Sequence, residues 1–161
     1  MSEKPIHLVD EPVDQRPVPI LDADGAMELL RVAKRIAVVG ASPNRWRPSN
    51  SVMGYLLSNG FECVPVNPNE PTVLGQACFA TLEAAVAGSG GVAFDVVDVF
   101  RRPEYAPDIA RSAVALGCGA LWLQQRVISW EAARIAHDAG LTVVMDRCSA
   151  VEHRRLRALQ R

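Results

Sequence analysis

Arg35-Ile36-Ala37-Val38-Val39-Gly40-Ala41-Ser42-Pro43-Asn44-Arg45-Trp46-Arg47-Pro48-Ser49 is the stretch on which the fold turns. Residues 36–39 are apolar at every position, the mark of a strand buried on both faces, and Gly40 stops the run with a turn residue. After the loop, residues 49–59 pair Val52 with Leu56 and Met53 with Leu57 at i,i+4, a helix that Gly60 closes. Strand, small-residue loop and helix form the first half of a β-α-β unit.

The same punctuation repeats downstream. Residues 63–66 are a second strand, and Pro65, which has no amide donor, places it where one hydrogen bond can be spared. Thr81 caps a short helix through Leu82 and Val86, the glycines of 88–91 make a turn, and residues 94–100 are a third strand. Pro103 opens a helix that Gly117 closes, and residues 121–123 are the fourth strand. Ser129 caps a helix ending at Gly140, residues 141–145 are the fifth strand, and Ser149 with Glu152 fits a capping box for a last, arginine-rich helix. Upstream, Asp22 or Asp24 caps a helix through Met27, Leu30 and Ala33. Strands apolar on both faces, separated by helices, imply an α/β fold: a three-layer sandwich around a mainly parallel five-stranded sheet.

With 161 residues the chain has the size of one domain, and 49% hydrophobic with 22% charged residues is ordinary globular composition. Four prolines in the first twenty residues mark residues 1–20 as an N-terminal arm, leaving 21–161 as a single domain. A formal net charge of −1 argues against a sequence-independent hold on nucleic acid. No apolar run approaches the ~20 residues of a membrane span, and Met1-Ser2-Glu3-Lys4-Pro5 lacks the apolar core of a signal peptide, so a cytoplasmic location without membrane association is expected. Cys63, Cys78, Cys118 and Cys148 match neither a zinc motif nor a redox pair.

Ligands of open parallel sheets bind beyond the carboxyl ends of the strands, so the residues just after each strand are the candidates. Gly40 and Ser42 begin a loop whose amides and following helix suit a phosphate. The dinucleotide pattern G-x-G-x-x-G fails, because Ser42 and Arg45 stand at its second and third positions. Instead a longer loop brings Arg45 and Arg47 ahead of a helix cap at Ser49; a tight turn with two solvated arginines is the alternative. At the end of the second strand Asn67-Pro68 stands where a dinucleotide enzyme places a ribose-binding acid. Arg101 and Arg102 after the third strand can meet a ribose phosphate, or else form an exposed turn paired with Glu104 or Asp108. Catalytic groups are sparse. His7 and His137 read as solvated, and His153 reaches the crevice only if the last helix folds back. Cys148 is the best candidate for a reactive thiol, weighed against a packed cysteine, and no metal cluster declares itself.

Six blocks of the chain resemble the CoA-binding domain family, the small stand-alone relatives of the succinyl-CoA synthetase alpha-subunit N-terminal domain. They are Val38-Val39-Gly40-Ala41-Ser42, Arg47-Pro48-Ser49, Pro65-Val66-Asn67-Pro68-Asn69, residues 95–102, Trp122-Leu123-Gln124, and Val144-Met145-Asp146-Arg147-Cys148 with the following Glu152-His153-Arg154-Arg155. The resemblance implies a Rossmann-like domain that binds coenzyme A, or an acyl-CoA, across its carboxyl edge. It puts Gly40, Ser42 and the following loop at the pyrophosphate, and Asn67, Pro68, Phe100 and Arg101 toward the adenosine. Together with Ala41, Arg45, Arg47, Ser49, Arg102 and Gln124, these make up the expected ligand-binding set. The resemblance implies no reaction. Arg126 departs from the family, which commonly has a glycine soon after the Trp-Leu-Gln block. The rival readings are an NAD(P)-dependent oxidoreductase and a protein-interaction module with a vestigial nucleotide site; a protein partner or homo-oligomer is compatible with the first reading as well.

Overall fold

In the computed structural model residues 17–161 are described; the expected arm lies outside them up to residue 16, and so does His7. Val18 is already buried in the core, and the Leu21 amide donates to the Val143 carbonyl at 2.8 Å. Helix α1 (Ala23–Val32) follows, with Asp22 rather than Asp24 as its cap.

Five short strands make the main sheet: β1 (Arg35–Val39), β2 (Glu62–Val66), β5 (Val96–Val99), β6 (Ala120–Leu123) and β7 (Thr142–Val144). All pair in parallel, in the order β2-β1-β5-β6-β7. β2 is an edge strand, which is how Pro65 is tolerated. A two-stranded hairpin, β3 (Thr72–Val73) and β4 (Gln76–Ala77), interrupts the crossover from β2 and has no counterpart in the sequence reading.

Successive strand residues point to opposite faces, and each face has its own helices. Ala37, Val39, Val97, Val99, Leu121 and Leu123 pack with α3 (Leu82–Gly88), α4 (Ala106–Ala115) and α5 (Trp130–Asp138). Ile36, Val38, Val96, Trp122 and Val144 pack with α1, α2 (Pro48–Ser58) and α6 (Ser149–Leu159). The fold is therefore a Rossmann-like three-layer α/β sandwich. Among the described residues no helix is long and apolar enough to cross a membrane.

Candidate functional site

From β1 the chain steps outward to β2, then crosses back to build β5, β6 and β7 on the other side. The point of reversal between β1 and β5 is where such sheets bind ligands. Two cavities open there, both lined by Gly40 and Asn67. The first, of about 500 Å³, runs from the β1–α2 loop past Phe100 to the β6–α5 loop and Cys148 at the start of α6. The second, of about 440 Å³, lies over the end of β2, between Pro68-Asn69, the start of α3, and Arg101.

Gly40 makes this arrangement possible. Its φ is +87°, and a Cβ there would lie 3.0 Å from Arg101 Cγ and 3.3 Å from the Phe100 carbonyl carbon. The loop beyond it is held by its own side chains: the Asn44 amide donates to Ser42 Oγ (3.1 Å), the Trp46 amide to Asn44 Oδ1 (2.9 Å), and Asn50 Nδ2 to the Ser42 carbonyl (3.0 Å). Arg47, not Ser49, is the N-cap of α2, and no side chain caps its first turn; Ser49 lies inside the helix, buried. The same holds at α6, whose N-cap is Cys148. The expected Ser149–Glu152 capping box does not form, because the Ser149 hydroxyl is taken by a strand residue. Helices α1, α3 and α5 carry side-chain caps from Asp22, Thr81 and Ser129. The two helices that begin at the first cavity thus leave their N-terminal amides without a side-chain acceptor, the arrangement that suits an anion.

Among the expected site residues, Gly40, Ser42, Arg47, Ser49 and Gln124 line the first cavity together with Phe100 and Cys148. Pro68 and Arg101 line the second. Ala41 is buried behind them. Asn67 is a clamp: its Nδ2 donates to the Ala41 carbonyl at 2.8 Å and its Oδ1 accepts from the Asn69 amide at 2.8 Å. An acid at this position has no hydrogen to give the carbonyl, so the amide has a local structural reason to replace it. Arg45 lies exposed with its guanidinium 4.9 Å from the Trp46 ring, and Arg102 stands 3.8 Å from Glu104 in solvent; neither lines a cavity. Arg101 stacks 3.9 Å over the Tyr105 ring. His153 lines neither cavity, and its Nδ1 lies 2.9 Å from the Tyr55 hydroxyl.

Beneath the first cavity Asp98, fully buried in the middle of β5, accepts from Gln124 Nε2 (2.7 Å) and Ser149 Oγ (2.8 Å). Burial pushes its carboxyl up to about 7, against the two hydrogen bonds that pull it down. Burial, aided by the charges of Asp98 and Glu62, likewise pushes the Cys63 thiol up to about 12, and burial raises Cys78 and Cys118.

A family model described as a CoA binding domain matches residues 34–154, which contain the six sequence blocks except the last residue, Arg155, and the residues lining both cavities. The chain belongs to the CoA-binding domain family. An uncharacterized protein of Bacillus subtilis (strain 168), YneT, is 36% identical over 126 residues, which are 78% of this chain and 90% of that one. Among solved structures, a hypothetical protein from Pyrococcus horikoshii OT3 is 34% identical with a TM-score of 0.78, covering 97% of this chain and 99% of its own. The dinucleotide-forming acetyl-coenzyme A synthetase 1 of Ca. Korarchaeum cryptofilum matches at 21% identity with a TM-score of 0.60, over 73% of this chain and 28% of that larger one, a likeness of fold.

Sequence reasoning about this family member missed Asp98. The signal was there: one acid inside the otherwise apolar Val96-Val97-Asp98-Val99, in register with Val38 and Trp122 on the face that α6 covers.

Proposed function

We propose that the protein binds coenzyme A at the carboxyl edge of its sheet, as a ligand-binding domain rather than a catalyst. In this reading the diphosphate lies over Gly40 and Ser42 at the start of α2, the adenosine occupies the second cavity beside Arg101, and the pantetheine arm runs into the first cavity toward Gln124 and Cys148. The observation that carries it is the uncapped N-terminus of α2 at the switch point between two cavities that share Gly40 and Asn67. An elongated ligand with phosphates in its middle fits that layout.

Calorimetric titration with CoA, NAD and NADP side by side tests this, alongside a non-denaturing mass spectrum of the purified protein. CoA is expected to bind and NAD is not, and a retained mass is expected to match CoA or an acyl-CoA. Tighter binding of NAD than of CoA overturns the proposal.

A further inference from the structure

Gln124 lines the first cavity, yet both hydrogens of its Nε2 are directed inward, to Asp98 Oδ1 at 2.7 Å and to Ser149 Oγ at 2.8 Å. The Ser149 hydroxyl in turn donates to Asp98 Oδ2 at 2.8 Å. An ionised carboxylate only accepts, a hydroxyl gives one hydrogen, and an amide gives two from nitrogen and none from oxygen. With Asp98 ionised, these three donor hydrogens and both carboxylate oxygens are matched. The polar atom left over is Gln124 Oε1, for which the described residues provide no partner. Turned the other way, the amide would set Oε1 against the carboxylate.

We propose that Asp98 is a positioning residue that fixes Gln124 with its amide oxygen toward the cavity, so that the site accepts a hydrogen bond from the pantetheine end of the ligand, an amide N–H or the thiol S–H. The inference rests on the CoA reading and assigns the polarity of one wall of that site.

The arrangement depends on a proton. Once Asp98 is protonated its own O–H is a donor, and Gln124 satisfies it by turning Oε1 inward and Nε2 toward the cavity. The wall then offers a donor where it had offered an acceptor. Burial of Asp98 brings this exchange near neutrality. The groups around the carboxyl do not override it. β2 contributes Cys63, a thiol held protonated by its own burial; β6 contributes Gln124 and α6 contributes Ser149. Arg147 and Arg155, beside the first turns of α6, are engaged by Glu152, at 3.7 and 3.2 Å. A ligand that donates to Oε1 therefore favours ionised Asp98, and its affinity rises as pH rises through about 7.

Dephospho-CoA is the probe, because it lacks the phosphate monoester of CoA that itself titrates near neutrality. It is titrated calorimetrically into the wild-type protein, D98N and Q124M between about pH 5.5 and about pH 8.5. Wild-type affinity is expected to be on the order of tenfold higher at the alkaline end, the effect of a one-unit shift in a linked group. Both variants are expected to give flat profiles, with D98N near the acidic wild-type value. A flat wild-type profile, or a D98N profile with the wild-type slope, overturns the inference while leaving the CoA reading in place. Failure of both CoA and dephospho-CoA to bind at any pH removes the two together. Should D98N not fold, the carbon-13 signal of the Asp98 carboxyl in the wild-type protein decides: dephospho-CoA must lower its titration midpoint, and an unchanged midpoint overturns the inference.

Discussion

Arg101 leaves the end of β5 with its guanidinium stacked 3.9 Å above Tyr105 and its Cγ against Gly40, so its charge is held on the wall of the second cavity. The acids on that wall are committed elsewhere: Asp108 accepts from Arg111 at 2.7 Å, and hydrogen bonding, first from Ser112, holds Glu83 below the usual carboxylate range. On the proposed CoA reading, Arg101 is therefore the cation to test against the 3′-phosphate. A charge-assisted bond contributes about 1.5–3 kcal/mol, so Arg101→Ala is expected to weaken CoA roughly ten- to a hundredfold and dephospho-CoA hardly at all. Calorimetry with both ligands on both proteins closes the cycle, and equal losses would remove the 3′-phosphate from Arg101. The thiols are ordered by access in the same way. Burial raises Cys63, Cys78 and Cys118, whereas Cys148 opens to the first cavity. In native protein Cys148 is expected to react first with a thiol reagent and to be protected by CoA. Uniformly slow labelling of all four would reduce it to a packing residue.

At the scale of elements, two non-glycine residues at the carboxyl edge of the sheet lie in the left-handed region: Arg126 after β6, on the wall of the first cavity, with φ 71°, and Asp146 after β7, with φ 55°. The Arg126 amide donates to Asp146 Oδ1 at 2.6 Å, so each turn supports the other. Arginine at such a φ costs about 1–2 kcal/mol, which glycine would relieve apart from the entropy it adds to the unfolded chain. Arg126→Gly is therefore expected to leave stability unchanged or raise it by up to ~1 kcal/mol, measured by urea unfolding; a clear loss would show that the arginine side chain has a role in holding the loop. These elements also show what the sequence could reveal. The caps of α1, α3 and α5 were legible because Asp22, Thr81 and Ser129 each bond an amide three residues on. The start of α2 was misread because Pro48 takes its first position, one residue before Ser49, and leaves Arg47 as the N-cap; that of α6 was misread because its decisive partner is distant, Ser149 being drawn away by Asp98, fifty-one positions earlier. The β3–β4 hairpin left no pattern because two-residue strands joined through Leu74-Gly75 are too short to show a period. That Gly40, Ser42 and Asn67 line the cavities at the carboxyl edge was legible from their place after β1 and β2, whereas the clamping role of Asn67 needed its partner across the sheet.

For the whole molecule, the fully buried Asp98 couples stability to pH, because β5, β6 and α6 meet at its carboxyl. Its ordinary value of 3.8 is raised to about 7 in the fold, chiefly by burial. Between those two values the unfolded chain has lost the proton and the folded one still holds it, so the stabilising contribution, complete below about pH 4, declines with rising pH and is gone above about pH 7. Glu83, held low by Ser112, has the opposite sign and loses its smaller contribution only as pH falls. Asp98→Asn removes the first dependence and keeps the volume. Relative to wild type, the variant is therefore expected to gain stability as pH rises from about 5 to about 8, by a few kcal/mol at most, since one unit corresponds to about 1.4 kcal/mol. Urea unfolding of both proteins at the two pH values measures it, and a difference that stays constant with pH would show that Asp98 does not titrate in this range. A saturating ligand that donates to Gln124 should then narrow the gap at the alkaline value, because it binds the form of the site that ionised Asp98 maintains and stabilises the wild type by mass action. A buried charge that weakens the free fold at neutral pH and is offset by the ligand is how a site can keep an unfavourable group in its core.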